Sequence, residues 1–177
     1  DPPARTLRDV LEIVERALLP DADRERAARV FALLGDAEAA AHGRDSAADA
    51  HLHEVGAVDA IIDIVGVVAG LRLLGIERLY CGPLPFGGGT VRAAHGRLPV
   101  PAPAVLEIAA RAGIPIAAPR AEEPQFELVT PTGAALLGAL ASFSRPAMRL
   151  EAIGVGAGGR DIQGWPNVLR LWPGDVP

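Results

Sequence analysis

The sequence predicts an α+β (mixed α/β) fold, with a helical N-terminal part packed on a mixed sheet built from the later strands. Three observations point there. Apolar residues recur at helical spacing through the first 75 positions. After them the texture changes to short β-like runs broken by Gly and Pro. Half of the 177 residues are hydrophobic and only 4% are aromatic, so the core must be built from Ala, Val, Leu and Ile.

In "TLRDVLEIVERALLP", Leu7, Val10, Leu11, Val14 and Leu18 line one face, with Thr6 as N-cap and Pro20 as stop. A second helix follows in "DADRERAARVFALLGDAEAAAHG". Asp21 or Asp23 is its expected cap, Ala27, Val30, Phe31 and Leu34 its apolar side, and Gly43 its end. After the polar "RDSAAD", the stretch from Val55 to Gly75 is apolar nearly all round, which predicts a buried helix. "IERLYCGPLP" and "GGGTVRAAHGRLPVP" read as strands and turns. "APAVLEIAARAG" reads as a short helix, "IPIAAP" as a strand or edge, and "PTGAALLGALASF" as another helix. "AMRLEAIGVGAGGRD" and "NVLRLW" read as two closing strands. Residues 1–50 then form a helical segment and 51–177 an α/β core, together one domain spanning 1–177.

The chain carries 17 basic residues, all Arg, against 22 acidic ones, and no basic run exceeds two residues. Nucleic-acid binding needs a basic face and is disfavoured. Without Lys there is neither Schiff-base chemistry nor the lysine of a phosphate-binding loop. A single cysteine, Cys81, excludes an internal disulfide and fits a reducing compartment. The longest nearly apolar run, Val55 to Leu71, holds two aspartates and is short for a membrane span, so a cytoplasmic protein without membrane partners is expected.

The chemistry concentrates in "HLHEVGAVDAIIDIVG". His51 and His53 alternate and point to one side if extended, and Glu54 follows directly. Asp59 and Asp63 are four apart, one turn above each other on a helix. In an apolar helix such a pair is expected to be a buried acidic ladder that needs a cation, N–H donors or an Arg between its carboxylates. Taken together these five residues suit a divalent metal, with His95 in a Gly-flanked loop as a further ligand or proton acceptor; structural histidines and a first-turn Asp serving the helix dipole explain them as well. His42 reads as a helix-end residue, and Cys81 more as a small buried hydrophobe than as a soft ligand.

Two segments suit a phosphorylated ligand. Gly87, Gly88 and Gly89 offer consecutive N–H groups, with Thr90 and Arg92 to add donors; a hairpin tip explains them equally. Thr130 precedes Pro131, and Thr132 and Gly133 open a helix, an arrangement that serves anions or plain capping. "GVGAGG" matches G-x-G-x-x-G formally, but "RDIQGWPNV" after it is not helical, which removes the dinucleotide reading.

"HLHEVGAVDAIIDIVG", "CGPLPFGGGTVRAAHGRLPVPAPA", "ELVTPTGAALL" and "GVGAGGRD" followed by "PNVLRLW" resemble, in order and rough spacing, the LarC family of nickel insertion proteins. The resemblance implies a nickel chelatase, or cyclometallase, of the lyase class that serves lactate racemase maturation. Such an enzyme uses CTP with Mg²⁺ or Mn²⁺ to insert Ni²⁺ into pyridinium-3,5-bisthiocarboxylic acid mononucleotide, giving the nickel-pincer nucleotide cofactor. It also implies a central fragment of a longer protein, with the CTP site outside this chain and the rest of that protein as its partner; homo-oligomerisation stays open. Within that expectation Glu54 or His53 is the base, and His51, His53, Glu54, Asp59, Asp63 and His95 are the metal donors. A metal-dependent hydrolase and a non-enzymatic binding or assembly module, with Asp59 and Asp63 anchoring Arg residues, are the rival readings.

Overall fold

The structure, a computed structural model, describes residues 5–43, 51–52, 58–93, 96–119, 124–160 and 162–176, with His51, Leu52 and Ala93 as backbone only. The described residues fall into two units, Asp1–Phe143 and Ser144–Pro177.

The first unit is organised around one long helix. A two-residue strand β1 (Arg5–Thr6) leads into α1 (Leu7–Arg16), which opens with a capping box: Asp9 N–H donates to Thr6 Oγ1 at 3.2 Å and Thr6 N–H donates back to Asp9 Oδ2 at 2.8 Å. Helix α2 (Asp21–Ala41) follows Pro20, which occupies the N-cap position without a side-chain cap. The expected cap at Asp21 or Asp23 is therefore corrected. Both lie inside the first turn, and Asp23 is fully buried.

Strand β2 (His51–Leu52) precedes α3 (Val58–Leu73), and β3 (Leu79–Tyr80) follows it. A hairpin of β4 (Thr90–Ala93) and β5 (Gly96–Pro99) leads to α4 (Pro103–Ala112), which stops at Gly113 with φ 65°. Helix α5 (Pro131–Leu140) runs directly into β6 (Ala141–Ser142). Helix α2 packs against α1, α3, α4 and α5. Phe31, Leu34 and Val30 of α2, Val10 and Val14 of α1, Ile64 and Val68 of α3 and Val105 and Ile108 of α4 are fully buried. At about 1.5–3 kcal/mol for each buried Val, Leu, Ile or Phe, this helix-on-helix core carries the unit.

The α+β class is as expected from the sequence. The strands, however, are gathered in two-stranded pairs among the described residues. Only β3 with β6 is parallel among the paired strands, and Leu84 and Ile116 add an isolated parallel bridge in the segment expected to be an edge.

In the second unit β7 (Arg149–Leu150) pairs antiparallel with β10 (Gly174–Asp175), and β8 (Gly154–Ala157) pairs antiparallel with β9 (Val168–Leu171). Arg149 Nη2 meets Asp175 Oδ2 at 3.1 Å, and the Trp172 ring lies 5.2 Å from the Arg170 guanidinium and 5.9 Å from that of Arg145. Strand β8 is the "GVGA" of the formal glycine fingerprint. It is extended and leads into no helix, as the sequence reading required.

Candidate metal and ligand site

The backbone of His51 is held at the start of α1. Strands β1 and β2 pair antiparallel with Thr6 opposite His51 and Arg5 opposite Leu52, so the capping residue of α1 also anchors the first histidine. The hydrogen bonds from Thr6, backbone first and hydroxyl second, hold the Asp9 carboxyl below its ordinary range, helped by Arg5 and Arg8. His53, Glu54 and His95 lie outside the described residues, as does the side chain of His51.

Asp59 and Asp63 stand on α3, and the expectation that they form a buried ladder is corrected. Both are exposed. The reason lies in the helix period: Ala60, Ile64 and Val68 form the buried row, and the aspartates sit about a quarter turn round from it. Asp59 Oδ1 accepts the N–H of Ala60 at 2.9 Å, a first-turn position that the helix dipole favours. Asp63 makes no hydrogen bond or ion pair among the described residues. Their Cβ atoms, one turn apart, stand about 5–6 Å from each other, so two exposed carboxylates share one face of α3, Asp59 with one oxygen engaged at the helix start. Among the described residues no three His, Cys, Asp or Glu side chains converge as a metal cage.

The glycine loop is packed against the segment 124–128. Gly87 has φ 81° and a Cβ there would lie 2.0 Å from the carbonyl oxygen of Phe126; at Gly89, φ 77°, it would lie 2.7 Å from that of Gln125. Gly88 N–H donates to the Pro124 carbonyl at 3.2 Å, and Leu128 N–H donates to that of Phe86 at 3.2 Å. Close backbone approach thus requires glycine here whatever else the loop does. Thr90 and Arg92 are exposed on β4, where Arg92 is opposite Arg97 and Thr90 opposite Pro99.

Thr130 is the N-cap of α5, with Pro131 at the first helical position, and its hydroxyl accepts the N–H of Gly133 at 3.2 Å. Thr132 and Gly133 are half-buried in that first turn. Cys81 is half-buried, and burial pushes its thiol pKa up. His42 follows the last turn of α2, its Nε2 3.5 Å from Glu38 Oε2.

One pair escaped the sequence reading. Asp23, in the first turn of α2, accepts a 2.6 Å hydrogen bond on Oδ2 from Arg72 Nε in the last turn of α3. No local signal separates an ordinary first-turn Asp from one that is buried against an Arg 49 residues away.

Together these features define an α+β module with a solvent-facing carboxylate pair and a tightly packed glycine loop. The chain belongs to the nickel insertion protein family, whose sequence profile matches residues 1–175. It is similar to relatives named for nickel insertion: 55% identical over 97% of its length to one from Roseiflexus castenholzii, of which it covers 42%. It is 50% identical over 98% of its length to one from Thermomicrobium roseum, of which it covers 42%, and 47% identical over 98% to one from Geobacter metallireducens, of which it covers 44%. The chain therefore spans less than half the length of these curated relatives. No solved structure matches it. Among the described residues no helix is long and apolar enough to cross a membrane.

Proposed function

We propose that this chain is the nickel- and ligand-handling part of a longer protein that inserts Ni²⁺ into pyridinium-3,5-bisthiocarboxylic acid mononucleotide, the reaction that the family resemblance implies. Nickel is here a substrate. The observation that carries the reading is the pair Asp59 and Asp63, exposed and without an ion pair among the described residues, in a chain whose family is defined by nickel insertion. Carboxylate oxygens from α3 and imidazole nitrogens from His51 and His53 form a mixed N/O donor set suited to a divalent first-row metal. His95 adds a further donor.

Insertion replaces the C4–H bond of the pyridinium ring by a carbon–nickel bond, and the released proton needs an acceptor. Glu54 or His53 takes it in this reading. The two thiocarboxylates supply sulfur to the same metal. The mononucleotide phosphate is assigned to Gly87, Gly88 and Gly89 with Thr90 and Arg92, or to the α5 N-terminus at Thr130, Thr132 and Gly133, where backbone N–H groups and the helix dipole favour an anion. CTP with Mg²⁺ or Mn²⁺ is assigned to the remaining part of the protein, and the whole to the cytoplasm, in service of lactate racemase maturation.

The test uses the complete protein. His53→Ala with Glu54→Gln is expected to abolish formation of the nickel-bound nucleotide, read by mass spectrometry, while ligand binding persists. Normal product from that double variant would sink the assignment.

A further inference from the structure

Helix α3 presents a choice that apolar burial alone does not decide. Ala60, Ile64 and Val68 are buried, yet Val58, Ile62, Val67 and Leu73, of similar polarity, stand at 50, 63, 41 and 75% exposure. Turning the helix about its axis would exchange one row for another with little loss of buried apolar area. The polar residues break this near-degeneracy. Arg72, itself 42% exposed in its side chain, follows the buried row by one more step of four from Val68, whereas Asp59 and Asp63 lie on the neighbouring exposed row.

Arg72 meets a partner that is costly to keep. Asp23 is 0% exposed; its Oδ2 takes the Arg72 Nε–H at 2.6 Å, and its Oδ1 is buried without a hydrogen-bond partner among the described residues. The pair is buried on one side only, the Asp23 side chain at 1% exposure and that of Arg72 at 42%; it relieves one oxygen of a buried carboxylate, where an apolar residue of similar volume would need no partner. The best-attested use of such a pair is to fix register.

We propose that Asp23 and Arg72 are positioning residues: they select the face that α3 turns toward α2, and by doing so they hold Asp59 and Asp63 out to solvent. The geometric half of this inference stands on its own. Its meaning for metal handling rests on the function proposed above.

Reporter thiols test it in the complete protein with its native cysteines replaced, Cys81→Ala among them. Ile62→Cys reports the exposed face, Ile64→Cys the buried face, and Ile108→Cys, buried in α4, the stability of the core as a whole. Asp23→Leu with Arg72→Leu is expected to slow thiol modification at position 62 by about twofold or more and to speed it at position 64 by about tenfold or more, with position 108 unchanged. General destabilisation cannot protect position 62. Unchanged reactivity at 62, or a parallel rise at 64 and 108, overturns the proposal. Should the double variant lose its cooperative melt, Asp23→Asn, which keeps shape and removes charge, is judged by the same three rates. Nickel titration of the same proteins separates the two ideas. If the reporters show rotation and nickel affinity does not fall, the positioning role stands and the carboxylate part of the proposed function fails.

Discussion

The two units of this chain treat apolar side chains in opposite ways. In the first, α2 is surrounded by four helices, and Phe31, Leu34, Val30 and Ile108 are wholly buried. In the second, Val155 is 63%, Leu169 76% and Ile153 63% exposed, and strands β8 and β9 have no buried residue. Two-stranded ribbons are marginal in water unless something packs on them. The difference teaches that cohesion within this chain is helical, and that its closing strands gain little from their own side chains.

The contrast breaks most visibly at its centre. Phe31→Ala removes a fully buried ring from the side of α2 that the sequence marked as apolar. It is expected to cost about 3–5 kcal/mol, seen as a lower urea midpoint. A loss below about 1 kcal/mol would mean that the helical core is not where stability resides.

A smaller effect is expected at the edge of the same unit, where α1 begins. Thr6→Ala removes the side-chain half of the capping box, at a cost of about 1 kcal/mol at neutral pH. The cap also carries a pH signature. Asp9 has its folded-state pKa lowered by Thr6, so its contribution is present in full above the unfolded value of about 3.9 and fades as pH falls through the lower folded value. In acid titrations followed by circular dichroism, the gap between wild type and Thr6→Ala should therefore narrow without closing as pH falls below the unfolded value, because the hydroxyl bond to the Asp9 carboxylate titrates and the Asp9 N–H bond to Thr6 Oγ1 does not. Curves that remain parallel there would show that the Thr6–Asp9 pair does not govern this end of α1.

Much of this was legible in the sequence, for physical reasons that also mark where legibility ends. Helices α1, α2, α4 and α5 follow from local signals, Thr6 and Thr130 as caps and Gly43 and Gly113 as left-handed ends, although α1 ends at Arg16, short of the expected stop at Pro20, and leaves Leu18 outside it and exposed. Those devices act within a few residues of their own position. Helix α3 was legible as a helix but not in its orientation, because apolar residues all round it give no preferred face. The aspartates were accordingly expected inside and are found outside. What decides the matter is a contact from Arg72 to Asp23, and no local periodicity encodes a partner on another helix. The glycine run at 87–89 was legible as special, whereas its need to admit the carbonyls of Gln125 and Phe126 depends on tertiary approach.

The smallest expected effect is the one that sharpens the comparison from the other side. Leu169 on β9 is 76% exposed and opposite Gly156, which has no side chain to pack on it. Leu169→Ser should therefore change the unfolding free energy of this 177-residue chain by no more than about 0.5 kcal/mol, against the several expected for Phe31→Ala. The same substitution in the longer protein proposed above is informative because the chain spans only 42% of relatives such as that from Roseiflexus castenholzii. A loss of about 2 kcal/mol there, absent from the shorter chain, would show that the remainder of the protein covers the hairpin and supplies the apolar layer that β8 and β9 lack. Equal, near-zero effects in both would instead leave the exposed strands as a feature of the mature molecule.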